Sequence, residues 1–235
     1  MRRLPTIALL SLALAACGSS HKSTTPSHGP AASTSTAAST PASSPSGCSS
    51  VPAPAPRSAS HLTAPHLTLD ARKTYTVTIV TNCGTFAFNL DVKQSPKTSA
   101  SFYYLVKRGF FDGITFHRVA AGFVIQGGDP TGTGAGGPGY TVVEPPPANT
   151  QYVLGDVAMA KTQTDPSGAS GSQFFIVTSA NVSQSAGLTP DYALLGKIVS
   201  GIGVVARIGA LPTTPQGDGT PNTPVVMSRV TVAVH

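Results

Sequence analysis

Between Leu67 and His235 the large apolar residues come in short runs, and Gly- and Pro-rich loops cut them apart. Tyr75, Val77 and Ile79 alternate with threonines, Asn82-Cys83-Gly84 turns the chain, and Phe86, Phe88 and Leu90 alternate again. That is the pattern of a β-hairpin. Further apolar runs stand at 123–126, 157–160, 173–177, 193–198 and 225–234. Only two stretches read as helical. Ser95-Pro96 offers an N-cap followed by proline at the first helical position, Phe102, Leu105 and Val106 share one face, and Gly109 stops the helix. A second short helix is expected around Gly201–Ile208. Many short strands with turn signals and two helices predict a mainly-β fold, a closed or nearly closed antiparallel barrel.

The first 66 residues are of another kind. Met1-Arg2-Arg3 is a short positive region, and Ile7–Ala16 is an apolar stretch too short to span a bilayer, so residues 1–16 read as an export signal. It ends in Leu14-Ala15-Ala16-Cys17, which resembles a bacterial lipobox; the alternative is an ordinary signal peptide with a cysteine nearby. Lipidation of Cys17 would hold the protein on the extracytoplasmic face of the cell membrane, since two or three acyl chains at ~0.8 kcal/mol per buried CH₂ make a stable anchor. From Gly18 to about Pro65 the chain is Ser, Thr, Ala, Pro and His with almost no large apolar residue. It cannot bury enough surface to offset its ordering entropy, so 17–66 is expected to be a disordered tether, spanning roughly 40 Å as a flexible coil. The domain is expected at 67–235. His61 and His66 lack a third ligand, so no metal site is expected. With Cys17 acylated, Cys48 and Cys83 either pair, docking the end of the tether on the domain, or remain free thiols in a compartment that permits disulfides.

Charge is sparse. The formal net charge is +6, and removing Arg2 and Arg3 leaves 13 basic residues against 9 acidic ones. No basic cluster is interleaved with aromatics, which excludes a nucleic-acid partner. Gly132-Thr133-Gly134-Ala135-Gly136-Gly137 matches a dinucleotide fingerprint in letters, but it lies between Asp129-Pro130 and Pro138-Gly139 rather than between a strand and a helix. It reads as a mobile surface loop. Asn181-Val182-Ser183 fits a glycosylation acceptor only incidentally. Neither zinc-ligand spacing nor a nucleophile elbow is present.

In so uncharged a chain, "ITFHRVAAGFVIQGGDP" (114–130) sets His117 and Arg118 beside an apolar run that ends in Gln126, two glycines and Asp129. Phe116-His117-Arg118-Val119, then Gly122-Phe123-Val124-Ile125-Gln126-Gly127-Gly128-Asp129, then Gly171-Ser172-Gln173-Phe174-Phe175-Ile176 closely resemble the signature of cyclophilins, the peptidyl-prolyl cis-trans isomerases. The resemblance covers about residues 70–235. It implies a closed eight-stranded antiparallel barrel with two helices, no cofactor, and proline-containing polypeptides as partners; a monomer is expected. Carried over residue by residue, Arg118 matches the catalytic arginine and Gln126 the glutamine that orients it. Phe123, Val124 and Phe175 match the proline pocket, with Leu188 as a further pocket leucine. His117 falls at the rim and Gln173 among the substrate contacts. Ala160 and Lys161 stand where the family makes a backbone contact to the residue before proline, Lys161 replacing a common asparagine, and Tyr192 takes a position often held by histidine.

Those residue types suit the reaction. Rotating an X–Pro bond breaks amide resonance over a barrier near 20 kcal/mol and needs neither nucleophile nor cofactor. A dry apolar pocket holds the ring, and a fixed guanidinium can hydrogen-bond the lone pair that the prolyl nitrogen gains when the bond twists. Lowering the barrier by about 7 kcal/mol would accelerate exchange on the order of 10⁵-fold. A rival reading keeps the barrel and pocket as a proline-peptide-binding chaperone module with little turnover. A second rival, a solute-binding lipoprotein, generally needs two domains around a cleft.

The resemblance yields one expectation about inhibition. Cyclosporin-sensitive cyclophilins supply a tryptophan on the loop before the "GK" strand. This chain has no tryptophan and places Gly187 or a close neighbour there. Losing an indole hydrogen bond and its contact area weakens binding roughly a hundredfold or more. Inhibition of peptide turnover by cyclosporin is therefore expected to be weak, and a nanomolar inhibition constant would contradict it.

Overall fold

The computed structural model describes residues 47–58, 60–180, 182 and 187–235. The export segment, Cys17 and the tether as far as residue 46 lie outside the described residues, as do Asn181 and Ser183 of the acceptor triplet. β1 (Tyr75–Thr81) and β2 (Gly84–Leu90) form the expected hairpin, antiparallel from Thr76↔Asn89 to Thr81↔Gly84. Tyr75, Val77, Ile79 and Thr81 are its buried alternate residues. α1 (Pro96–Lys107) starts at the expected proline, but Ser95 makes no side-chain cap. The Glu144 carboxylate accepts from the N–H groups of Lys97 (3.1 Å) and Thr98 (2.8 Å) instead. A charged acceptor at the positive end of a helix is stronger than a hydroxyl.

Next come β3 (Ile114–Thr115), β4 (Arg118–Ala120), β5 (Val124–Gly127), β6 (Val142–Val143), β7 (Asp156–Met159), β8 (Ala169–Ser170) and β9 (Phe174–Val177). β10 (Leu194–Ser200) leads into α2 (Ile202–Gly209), the second helix, followed by β11 (Thr213–Thr214), β12 (Asp218–Pro221) and β13 (Val226–Val234). β6 and β8 form a separate ribbon. The other eleven strands make one curled antiparallel sheet in the order β11-β12-β4-β5-β9-β7-β10-β2-β1-β13-β3.

Eleven strands replace the expected eight in a closed ladder. The stretch 114–120 breaks at Phe116-His117 into β3, which pairs with β13, and β4, which pairs with β5 and β12. Among the described residues the end strands β11 and β3 are not paired with each other. The backbone spans the seam instead, since Phe116 and His117 alone separate β3 at one end of the order from β4 near the other. Gly127 on β5 makes the approach feasible, because a side chain there would meet the Thr115 carbonyl at 2.9 Å.

One face of the sheet closes on an aromatic core. Phe102 from α1 stacks on Phe111 with centroids 4.6 Å apart and meets Phe174 edge-on at 5.5 Å, while Phe116 meets Phe174 at 5.8 Å. Val205 and Ile208 of α2 are fully buried. Gly209 lets that helix settle, its α-carbon facing Thr178 and Ile125.

The expected disorder of residues 17–66 does not extend to the described part. From Gly47 onward the segment lies on the domain as a strap. Cys48 and Cys83 are disulfide-bonded. Ser49 N–H donates to the Asn82 carbonyl, and Asn82 Nδ2 donates back to the Ser49 carbonyl, each at 2.8 Å. Arg57 N–H donates to the Pro130 carbonyl (2.9 Å) and Leu62 N–H to the Pro138 carbonyl (2.8 Å). Backbone hydrogen bonds make most of this attachment, with buried Cys48 and the packing of Leu62 against the main core as its apolar points, too few and too scattered for hydrophobic patterning to reveal it.

The bridge joins residues 35 apart. Removing it with Cys48→Ser is expected to lower stability by about 2–4 kcal/mol. In a full chain carrying Cys17→Ser, thiol titration under non-reducing denaturing conditions should find no reactive group. Two groups would contradict the pairing.

Candidate active site

Cross-strand register builds the site. Arg118 on β4 pairs with Gln126 on β5, Gln126 with Phe175 on β9, Phe175 with Ala158 on β7, and Ala158 with Leu194 on β10. Directly opposed residues share a face, so this row projects to one side of the sheet. The neighbouring row Val119, Ile125, Ile176 and Val157 is displaced by one residue and faces the main core. Val124 and Val177, two residues along, rejoin the outer face, where Phe123, Ala160, Leu188 and Tyr192 pack against it as a second apolar cluster.

A pocket of about 120 Å³ opens there. It is lined by Arg118, Phe123, Val124, Gln126, Ala160, Lys161, Phe175, Leu188 and Tyr192. Nine of the eleven domain residues singled out from the sequence are thus brought together. Its polar edge is Arg118. Nε and Nη2 donate to the two carboxylate oxygens of Asp218, both at 2.7 Å, and Nη1 donates to Gln126 Oε1 at 3.2 Å. A bidentate carboxylate fixes the plane of a guanidinium as no single acceptor does. Asp218 was not anticipated: it lies 100 residues from Arg118, in a Gly/Pro-rich segment whose β12 pairing with β4 carries no apolar periodicity.

Tyr192 forms the opposite wall. Its ring meets Phe175 edge-on at 5.3 Å. The hydroxyl of Tyr152, also unanticipated, donates to the Tyr192 carbonyl and accepts from its N–H. Tyr152 is fully buried, and burial pushes its phenol up to about 12, keeping it neutral and able to donate. Lys161 has only 4% of its side chain exposed; it pairs with Asp191 at 2.5 Å and lies 5.5 Å over the Tyr192 ring. Its ammonium also donates to the carbonyls of Thr162 and Asp165, both at 3.2 Å. The hydrogen bond from Lys161 holds the Asp191 carboxyl below the usual carboxylate range. Lys161 therefore braces the wall, with three acceptors around a group that has three donors.

Gln173 and His117 do not line the pocket. Gln173 borders an adjoining cleft of about 370 Å³, which shares Gln126, Ala160 and Lys161 with the pocket. Its Oε1 accepts from Gln126 Nε2 at 3.0 Å, and its own Nε2 donates to the carbonyls of Gly134 (2.8 Å) and Gly136 (2.9 Å). His117 lines a different cavity, between the strap and the β3–β4 break. Its Nδ1 is buried with no hydrogen-bond partner among the described residues. Burial lowers its pKa, with Arg118 acting the same way and Asp129 opposing.

The glycine-rich stretch, expected as a mobile surface loop, is tied down by hydrogen bonds to Asp129 and Gln173. Asp129, 1% exposed, accepts from the Thr131 N–H and hydroxyl and from the Gly134 N–H. Burial works to raise its pKa, but these donors together with the Gly136 N–H outweigh it and hold the carboxyl low. A side chain at Gly136 would collide with the Asp129 carboxylate. The glycines let the chain wrap a carboxylate instead of a phosphate. Among the described residues no group of three His, Cys, Asp or Glu side chains could hold a metal.

The family model described as cyclophilin type peptidyl-prolyl cis-trans isomerase/CLD matches residues 76–232. A peptidyl-prolyl cis-trans isomerase of Helicobacter pylori is 38% identical over 62% of this chain and 83% of its own. Peptidyl-prolyl cis-trans isomerase B of Bacillus subtilis is 42% identical over 49% and 76%. A cyclophilin type peptidyl-prolyl cis-trans isomerase of Cryptosporidium parvum, solved in the presence of the dipeptide Ala-Pro, superimposes with a TM-score of 0.60 at 31% identity, covering 67% of this chain and 98% of its own.

The half-buried His117 sets a pH dependence. Its folded pKa lies below the ordinary imidazole value of 6.5, so the unfolded chain binds the proton first, and stability present above pH 6.5 is lost as pH falls through the folded value. Asp129 acts in the same sense at lower pH, through the carboxylate range. Urea melts at pH 7, 6 and 5 should show stability falling on acidification, and His117→Asn should flatten that interval. An unchanged slope in the variant would assign the decline to other groups.

Proposed function

This chain belongs to the cyclophilin-type peptidyl-prolyl cis-trans isomerases, and from that membership we propose that it isomerises X–Pro bonds of exported or envelope polypeptides. It does so while tethered through a lipidated Cys17 to the outer face of the cell membrane. The Leu14-Ala15-Ala16-Cys17 sequence behind an apolar segment supports the anchor. The disulfide between Cys48 and Cys83 supports an oxidising compartment. The similar structure solved with Ala-Pro supports an X–Pro peptide as ligand.

The observation that carries the mechanism is Arg118, held by Asp218 and Gln126 at the edge of an apolar pocket. The proline ring enters between Phe123, Val124, Phe175, Leu188 and Tyr192, where its burial draws the substrate in without favouring cis or trans. Twisting the bond localises a lone pair on the prolyl nitrogen. Arg118 donates to that lone pair, and the contact exists only in the twisted state, so it lowers the barrier instead of merely tightening binding. Gln126 and Asp218 occupy the remaining sides of the guanidinium, so it does not reorganise as the bond turns. Ala160, at the end of β7, lies beside the substrate backbone, with Lys161 bracing the wall behind it.

Arg118→Ala is expected to lower kcat/KM in a prolyl exchange assay by about 10²–10³. Its melting temperature should stay near that of the unaltered chain, since Arg118 lies at the cleft edge. Asp218→Asn retains the size but loses the charge, and should cost less, about tenfold, through looser placement of the guanidinium. In the Arg118→Ala background the Asp218 change should have no further effect. Near-normal turnover by Arg118→Ala would refute the mechanism.

A further inference from the structure

The strap lies N-terminal to the family-matched residues 76–232, and the glycine-rich loop has no part in the chemistry described above. We propose that the strap is a positioning element of the active site: it clamps the glycine-rich loop as the far wall of the peptide groove, with Arg57 as its principal anchor. The proposal rests on Arg118 and the pocket beside it being the catalytic centre.

The strap touches the loop at both ends. Arg57 N–H reaches the Pro130 carbonyl and Leu62 N–H the Pro138 carbonyl, and these two acceptors bracket residues 131–137. Four of those seven residues are glycine, at 132, 134, 136 and 137, and such a segment loses more conformational freedom on ordering than any other. Interior bonds from Asp129 and Gln173 set its shape. The two strap bonds hold its ends.

Gly139 shows that loop and strap are fitted to each other. A side chain there would meet the Ser60 carbonyl oxygen at 2.5 Å and the His61 α-carbon at 2.8 Å, both strap backbone atoms. The restriction at this position comes from its positive φ of 92° and, in space, from the strap. The strap is in turn fixed by the Cys48–Cys83 bridge and by Arg57, whose Nη1 donates to the Phe110 carbonyl at 2.8 Å.

The inner side of the loop forms one wall of the 370 Å³ cleft that adjoins the proline pocket. Through Gly134, Gly136, Gln173 and Gln126 it is hydrogen-bonded in sequence to Arg118. A peptide that extends past its X–Pro pair into this cleft meets a wall whose position the strap sets. The strap therefore governs affinity for longer peptides, while the proline pocket serves short ones.

The test compares the full chain with a variant carrying Cys48→Ser and Arg57→Ala. The substrates are an Ala-Pro tetrapeptide and an octapeptide with the same bond at its centre, and hydrogen exchange follows amides 131–137. The variant is expected to raise KM for the octapeptide about tenfold with kcat little changed, to leave the tetrapeptide's KM within about twofold, and to exchange the loop amides faster. Equal losses on both peptides would reduce the strap to a stabilising role and overturn the proposal, as would loop amides protected as in the unaltered chain. Should the unaltered chain turn over neither peptide, the reading of Arg118 fails instead. Loop exchange then decides the clamp alone: faster exchange in the variant supports it and unchanged exchange refutes it.

Discussion

The register of β4, β5, β9 and β7 is the constraint on which everything else in this molecule rests. It sets Arg118, Gln126, Phe175 and Ala158 in one row on the outer face and Val119, Ile125, Ile176 and Val157 in the adjacent row on the inner face. A one-residue slip of any of these strands would exchange its members of the two rows. In β4 it would drive a guanidinium toward an aromatic core, where an unpaired charge is prohibitive, and strand Val119 in the cleft. Folding and function thus impose the same pairing, and the apolar inner row is what enforces it. This explains why a charged residue can stand beside an apolar run: Val119 and Ile125 of the run face the core, while Phe123 and Val124 share the outer face with Arg118 as the apolar side of its pocket.

With few charges available, each buried or half-buried one near the pocket is matched to a defined partner. Arg118 meets Asp218 through two parallel hydrogen bonds, and Lys161 meets Asp191 with two backbone carbonyls completing its shell. The two pairs differ in exposure. About a third of the Arg118 side chain is open to solvent, as a group that must meet a substrate requires, whereas Lys161 is 4% exposed. An ammonium buried so far must have its donors satisfied, and the same contacts that satisfy it fix Tyr192 and the 162–165 turn. Rigid walls on either side of a small apolar pocket favour a group that reacts by rotation alone, because the catalyst need not move.

Glycine serves the groove in two distinct ways. Gly128 and Gly136 give way to Ser172 and Asp129, atoms within the domain, and so let the loop fold on itself. Gly139 gives way to the strap. An irregular segment with no core of its own is thereby held from both sides, by a buried carboxylate within and by backbone hydrogen bonds from without. The strap carries few apolar contacts, Cys48 and Leu62 against the main core, and the disulfide supplies much of what a larger hydrophobic face would otherwise provide.

What the sequence determined by itself was whatever depends on local order: the period-two alternation that makes the hairpin, the continuous apolar run that makes β9, the proline that starts α1, and the short motifs bearing Arg118, Gln126, Phe123, Val124 and Phe175. Leu188 and Tyr192 were legible only through resemblance, since the loop that carries them has no periodicity. What the tertiary structure alone decided is long in sequence and polar in kind. Asp218 reaches Arg118 across 100 residues, Glu144 caps α1 from 46 away, and Tyr152 holds Tyr192 from 40 away. His117 lies beside the strap and away from the proline pocket because the chain breaks between β3 and β4, a break that no glycine or proline marks in the sequence. Hydrophobic burial is written in spacing because every residue of an element feels the same core. A hydrogen bond involves one donor and one acceptor, and nothing between them along the chain records that they meet.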